Sequence, residues 1–182
     1  MKKVAILLAV GFEEIEAVTP IDFLRRAGIE VIVCGINEES VTGSNGIVLK
    51  SDCGFDDLLT DLDGIILPGG MPGALNLSLS VGVSKILKAM DKDNKLIAAI
   101  CAAPAIVLSA ADVLKGKKFT CYPGFEDRVS NAKFTNDRVV QDGNLITSRG
   151  PGSAAEFSIA IIDYLVGHET ANFVKQSTLQ NW

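Results

Sequence analysis

Short apolar runs alternate with amphipathic segments along this chain, and that alternation leaves few folds open to it. "KVAILLA" (Lys3 to Ala9), "EVIVCG", "DGIILPGG" (Asp63 to Gly70) and "KLIAAIC" (ending at Cys101) read as buried strands. "EEIEAVTPIDFLRRAG" reads as a helix, with Ile15, Val18, Ile21 and Leu24 near helical spacing, Arg25 and Arg26 in the last turn and Gly28 as the stop. "VGVSKILKAMDKD" is a second helix and "APAIVLSAADVL" an apolar third. "KKFTCY", "RVVQDG" and "NLITSRG" read as further strands, while "GIVLKSD" is a strand or half of a hairpin. "GSAAEFSIAIIDYLVG" is a strong helix stopped by Gly167, and "HETANFVKQSTL" adds a short one. Apolar strands alternating with helices predict an α/β fold: a three-layer sandwich around a doubly wound, mainly parallel sheet. With 182 residues and no linker, repeat or low-complexity segment, the chain reads as a single domain over 1–182.

The net charge of −5 and the lack of a basic stripe argue against direct nucleic-acid binding. "KGKK" (Lys115 to Lys118) is the longest basic cluster and reads as a solvated loop. The apolar start is interrupted by Gly11, Glu13, Glu14 and Glu16 and has no convincing cleavage site, so it reads as a strand and not a signal peptide. No apolar run approaches the roughly 18 residues of a membrane helix. The expectation is a soluble, cytoplasmic protein without membrane association. None of the four cysteines (Cys34, Cys53, Cys101, Cys121) forms a CxxC pair, and the single histidine, His168, has no cysteine near it in sequence. No metal site and no cofactor are expected. Reduced thiols are the default, and no disulfide can be read from the sequence.

In doubly wound folds, ligands bind outside the carboxyl ends of the strands. That rule brings "VGFEEIE", "PGGMPG" and Cys101 to one edge of the sheet. Cys101 falls where a strand hands over to a helix, with Pro104 in the first turn. The free N–H groups of a helix start favour a thiolate, the nucleophilic form of cysteine. The plainer reading makes Cys101 a small core residue. Glu13 and Glu14 can point outward and simply favour the helix dipole, whereas Glu16 lies close to the inward face. A partly buried carboxyl there would have a raised pKa, and beside a thiolate it would titrate as one half of a coupled pair. The glycines of "LPGGMPG" allow close backbone approach to a ligand, as an oxyanion pocket would need, or form an ordinary tight turn. Neither GxxxxGK[ST] nor GxGxxG occurs, so nucleotide binding has no support. His168 falls between the last two helices and reads as a surface residue, so a Cys-His hydrolase is poorly supported.

Four ordered stretches, "GFEEIE", "LPGGMPGA", "AAICAAPA" and "TSRGPGSAAEF", resemble the ThiJ/PfpI superfamily, and more narrowly its DJ-one branch. The resemblance runs from Lys3 to about Val174. It implies a flavodoxin-like sandwich and a homodimer. It maps the reactive cysteine to Cys101, its carboxyl partner to Glu16, and a backbone pocket to Gly70 and Ala102 with Gly69 beside it. It also implies a place for Arg26 and Arg149 near the cleft or a dimer contact. Two departures stand out. Tyr122 precedes Pro123 where many members have a histidine, removing a candidate proton shuttle or substrate contact. Asn45 replaces an arginine that would carry positive charge toward the partner's site.

The resemblance implies a cofactor-free glyoxalase or deglycase acting on α-oxoaldehydes such as methylglyoxal, or on glycated adducts. In that chemistry Cys101 is the nucleophile and Glu16 the proton carrier. The alternative it implies is a stress-responsive redox sensor or chaperone in which Cys101 is oxidised to a sulfinate, with little turnover. A peptidase role lacks the histidine neighbour, and nothing points to a thiazole or phosphate site.

Overall fold

Strand β1 (Lys3–Leu8) is wholly buried after its first residue, as only a central strand can be. In the computed structural model, which describes residues 1–58 and 61–182, it is followed by α1 (Glu14–Arg26), β2 (Glu30–Gly35), β3 (Ser40–Thr42), β4 (Val48–Lys50) and β5 (Cys53–Gly54). Next come β6 (Gly64–Leu67), α2 (Gly73–Leu79), α3 (Val81–Lys92), β7 (Leu96–Ile100), β8 (Lys118–Phe119) and β9 (Lys133–Phe134). The chain ends with β10 (Val139–Asp142), β11 (Leu145–Ser148), α4 (Ala154–Val166) and α5 (His168–Ser177). The main sheet has seven strands in the order β10-β11-β7-β6-β1-β2-β5, all parallel except the β10–β11 pair. α1 and α4 pack together on one face, with α5 outside α4; α2 and α3 cover the other.

This is the expected doubly wound, flavodoxin-like sandwich. From β1 the chain moves outward to β2, then returns to lay β6 on β1's other side. The sheet therefore switches winding direction between β1 and β6, and such a switch opens a crevice at the carboxyl ends of the two strands. "GIVLKSD" resolves as half of a hairpin: β4 pairs antiparallel with β3, apart from the main sheet.

Three local readings need correction. The buried side of α1 is Glu14, Glu16, Ala17, Pro20, Phe23 and Leu24, while Ile15 and Val18 face outward. Apolar spacing misjudged the face because the inner side of this helix meets a polar site at its start. The helix after Cys101 is short and contains a π-type turn over Pro104–Leu108, and α2 was not foreseen at all. "KGKK" is not merely solvated: Lys117 pairs with Asp91 and donates to Asn144 Oδ1 at 3.3 Å, while the Lys118 N–H donates to Asp142.

The turns after β1 and β6 are stitched together by their backbones. Gly73 N–H donates to Gly11 O at 3.2 Å and Glu13 N–H to Gly69 O at 3.0 Å. This contact has no room to spare, since a Cβ on Gly73 would lie 2.6 Å from Phe12 N and 2.7 Å from Gly11 C. Gly73→Ala should therefore lower unfolding stability by about 1–3 kcal/mol through overpacking. Gly152→Ala, where a Cβ would meet nothing within 4 Å, should stay within about 0.5 kcal/mol of wild type. Urea melts of the two variants test the difference.

Candidate active site

Three strand ends converge at the switch point. From β1, the turn at Val10 to Glu13 leads into α1. Glu13 caps that helix, its Oε2 accepting from Glu16 N–H at 2.8 Å. Glu16 then points inward, fully buried, and accepts from Gly69 N–H at 2.8 Å through Oε2. Pro20, one turn on, lacks the N–H that would normally bond the Glu16 carbonyl. From β6 come Gly69 and Gly70. From β7 comes Cys101, held at φ +64°, a conformation uncommon for a residue with a side chain. The surroundings fix that strain: Cys101 N–H donates to Ser148 O at 2.9 Å, and its carbonyl accepts from Tyr122 N–H at 2.8 Å.

Cys101, Glu16, Gly69, Gly70 and Ala102 are all brought together at this point. A Cβ on Gly69 would lie 2.6 Å from Cys101 Cβ, 2.8 Å from Glu16 Oε2 and 3.0 Å from Ala102 N, so only glycine fits between carboxyl and thiol. The N–H groups of Gly70 and Ala102 face the Cys101 sulfur. Glu16 Oε1 is buried and has no hydrogen-bond partner among the described residues. It lies toward Gly150, where a Cβ would sit 3.9 Å away.

Burial pushes the Glu16 carboxyl up to about 8, against the pull of the Cys101 thiol and the Gly69 N–H. The Cys101 thiol was expected to ionise readily at a helix start. Instead burial, joined by the adjacent Glu16 carboxylate, pushes it up to about 12, with the Gly70 and Ala102 N–H groups pulling the other way. The two groups share one buried space that tolerates a single negative charge far better than two. They therefore titrate as a pair, and with the carboxyl at about 8 and the thiol above it the pair holds both protons through most of the neutral range.

Tyr122 borders the site; its ring lies 3.2 Å from where a Gly150 Cβ would be and stacks edge-on to Phe125. Tyr122, Arg149 and Gly150 line an open groove of about 250 Å³ with Arg138 and Pro151. Arg149 donates to Asn136, which holds it at the groove wall. Cys121 is fully buried, and burial, with Glu126 nearby, pushes its thiol up to about 12.

Other expected residues fall elsewhere. Arg26 ion-pairs with Asp22 at 2.7 Å, ten residues beyond Glu16 and thus about 15 Å along the helix, outside this chain's own cleft. Asn45 stays in its own hairpin, donating from its backbone at 2.7 Å and its side chain at 2.9 Å to the Glu14 carboxylate. Glu14 is correspondingly buried, not outward-facing as its place among three acids suggested. Burial alone would raise its pKa, but hydrogen bonds from Asn45 and Ile47 take it below the usual carboxylate value. Glu14 and Gly150 are the two site-shaping residues that residue-by-residue reading missed. The only signal for either was its place inside "GFEEIE" or "TSRGPG". His168 is exposed at the start of α5, 3.7 Å from Asp163, and takes no part. Among the described residues no group of three His, Cys, Asp or Glu side chains could hold a metal ion, and no helix is long and apolar enough to cross a membrane.

A flavodoxin-like sandwich with a strained cysteine at its switch point and a buried carboxyl beside it defines a recognisable class. The DJ-1/PfpI family model matches residues 2–164, and the chain belongs to that family. It is 41% identical over 180 residues to the Parkinson disease protein 7 homolog of Danio rerio, covering 96% of this chain and 95% of that protein. It is 38% identical over 153 residues to Deglycase TK1284 of Thermococcus kodakarensis, covering 82% and 91%. Among solved structures, oxidized Toxoplasma gondii DJ-1 superposes with a TM-score of 0.96 at 38% identity, over all of both chains.

The shifted carboxyl makes a stability prediction. Glu16 binds its proton more tightly folded than unfolded, so its contribution is complete below its unfolded value of 4.5 and is lost as pH rises toward about 8. Unfolding free energy should fall between those limits by up to about 1.4 kcal/mol per pH unit from this group. Glu16→Gln should flatten that stretch of the profile. Urea midpoints measured from pH 5 to pH 8 on both proteins read the difference.

Proposed function

We propose that residues 1–182 act as one domain with cofactor-free, cysteine-dependent glyoxalase or deglycase activity on α-oxoaldehydes such as methylglyoxal. The observation that carries this reading is the buried Glu16 carboxyl beside the Cys101 thiol, with one carboxyl oxygen left unpartnered. Similarity to a protein named as a deglycase supports it.

In the singly ionised pair, the Cys101 thiolate attacks the aldehyde carbon and forms a carbon–sulfur bond. The carbonyl oxygen takes the Glu16 proton, giving a hemithioacetal and a Glu16 carboxylate. That carboxylate removes the hydrogen on the aldehyde carbon as a proton. It returns the proton to the neighbouring ketone carbon, while the hydroxyl proton moves between the two oxygens. The product is a thioester of a 2-hydroxy acid. Water cleaves it to release lactate and restore the thiol. The N–H groups of Gly70 and Ala102 stabilise the oxyanion at each attack on the carbon.

A redox role at the same thiol is the second reading. A protonated Glu16 would hydrogen-bond a Cys101 sulfinate, and the related Toxoplasma gondii protein is described as oxidized. Homodimerisation belongs to the proposal as well. Ile15 and Val18 of α1 are exposed with Ile47 and Val48 of the hairpin, an apolar surface that a second copy would cover. Sedimentation should give a dimer that Val18→Glu weakens at least tenfold; a monomer at tens of micromolar would remove the dimer from the proposal.

The activity is tested by glutathione-free methylglyoxal consumption with lactate detection. Wild type should make lactate, Cys101→Ser none, and Glu16→Gln at least about 100-fold less. Tyr122→His should not be needed for activity. No lactate from wild type, with Cys101 sulfinate accumulating in mild peroxide, would replace the enzyme reading by the redox one.

A further inference from the structure

A pair of thiols lies at the far edge of the sheet, away from the switch point. Cys34 of β2 and Cys53 of β5 are direct partners in the parallel register. Directly paired residues on neighbouring strands point to the same face, with Cα atoms about 4.8 Å apart. That spacing falls inside the roughly 4.4–6.8 Å range that a disulfide spans. Burial pushes the Cys34 thiol up to about 12, and the neighbouring Cys53 adds to the push.

The register is not accidental. Asp52, just before Cys53, grips Val33, just before Cys34, from both sides. Its backbone N–H donates to Val33 O at 2.7 Å, and its Oδ2 accepts from Val33 N–H at 2.8 Å. Arg25 approaches the same carboxylate at 3.7 Å. Residue 53 is thereby locked opposite residue 34. β5 has only two residues and only one neighbour in the sheet, so it can adjust as a bond forms.

The two sulfurs differ in access. Cys34 is fully buried, and Cys53 is partly exposed. Gly54, next to Cys53, leaves open space: a Cβ there would meet only Asp57 Oδ2, at 3.8 Å. Gly35 and Gly54 both line a solvent-open cavity of about 380 Å³. A small oxidant can reach Cys53 and cannot reach Cys34 first.

We propose that Cys34 and Cys53 form a reversible dithiol–disulfide site, independent of Cys101, in which Cys53 reacts first with hydrogen peroxide and Cys34 resolves it. The Cys53 thiolate attacks one peroxide oxygen; the O–O bond breaks, giving a sulfenic acid and, after protonation, one water. Cys34 sulfur then attacks Cys53 sulfur, and the S–O bond breaks. The hydroxide that leaves takes up the Cys34 proton and departs as the second water. Two thiols are oxidised and one peroxide is reduced.

The bond would close the excursion that contains the β3–β4 hairpin, the same hairpin that Asn45 fastens to Glu14 at the start of α1. Oxidation at the sheet edge thus pins both feet of the loop that leans on the candidate cleft.

The test uses the full chain carrying Cys101→Ser, exposed to hydrogen peroxide, quenched, and analysed by intact mass and peptide mapping. The expected product is lighter by two hydrogens, runs as a monomer on a non-reducing denaturing gel, and contains a Cys34–Cys53 linked peptide that dithiothreitol releases. Cys121 should remain the one alkylatable thiol. Adding Cys34→Ala should convert Cys53 to its oxygen acids, with no loss of two hydrogens. Adding Cys53→Ser should leave Cys34 a free thiol at the same dose. Circular dichroism confirms that each variant is folded. Oxygen gain at Cys53 with Cys34 still free in the Cys101→Ser protein, or disulfides between chains, would overturn the proposal.

Discussion

The candidate site depends on one seam. The turn after β1 and the turn after β6 lie at the switch point of the sheet, and their backbones bond directly to each other through Glu13, Gly69, Gly11 and Gly73. The seam closes only because glycine occupies 70 and 73, where a Cβ would lie 2.4 Å from Glu13 N and 2.6 Å from Phe12 N. Glu16 is carried in by the first turn and Gly69 by the second. A single hydrogen bond between them then fixes the carboxyl beside the sulfur on the third strand end. Rigid strands set the coarse positions, and this seam sets the fine ones.

The electrostatics run differently from what a helix start alone would suggest. Backbone N–H groups do approach the Cys101 sulfur, but burial and the neighbouring carboxylate oppose them and win. The pair is best understood as one acid with two sites for its proton. On the proposed reading, the reactive form is the one in which Glu16 keeps the proton and the sulfur carries the charge, the form that the Gly70 and Ala102 N–H groups favour. In the proposed chemistry, a protonated carboxyl beside the sulfur also supplies the proton that the carbonyl oxygen takes.

The sheet was legible because its strands, such as Val4 to Leu8 and Ile97 to Ile100, are continuous apolar runs that only a doubly covered sheet can bury. Cys101, Glu16, Gly69, Gly70 and Ala102 were legible because the strand-end rule and the ordered motifs agree on them. What stayed hidden depends on contacts distant in sequence. Glu14 looks like a third solvent-facing acid, and only the hairpin brought to it by Asn45 and Ile47 makes its burial possible. The outward turn of Ile15 and Val18 follows from the same cause, since two carboxyls claim the inner face. The Cys34–Cys53 pairing is invisible without the register, because β5 is too short to announce itself as a strand.

Glu14 and Glu16 sit two residues apart on one helix and have been pulled in opposite directions. Backbone and amide donors hold Glu14 as an anion, while apolar surroundings hold Glu16 as an acid. Acid therefore attacks the clasp on the hairpin first, and alkali attacks the buried pair first. A single turn of helix gives the cleft a floor and a ceiling in pH, each guarded by a different carboxyl, and the neutral range is where both guards stand in their native charge state.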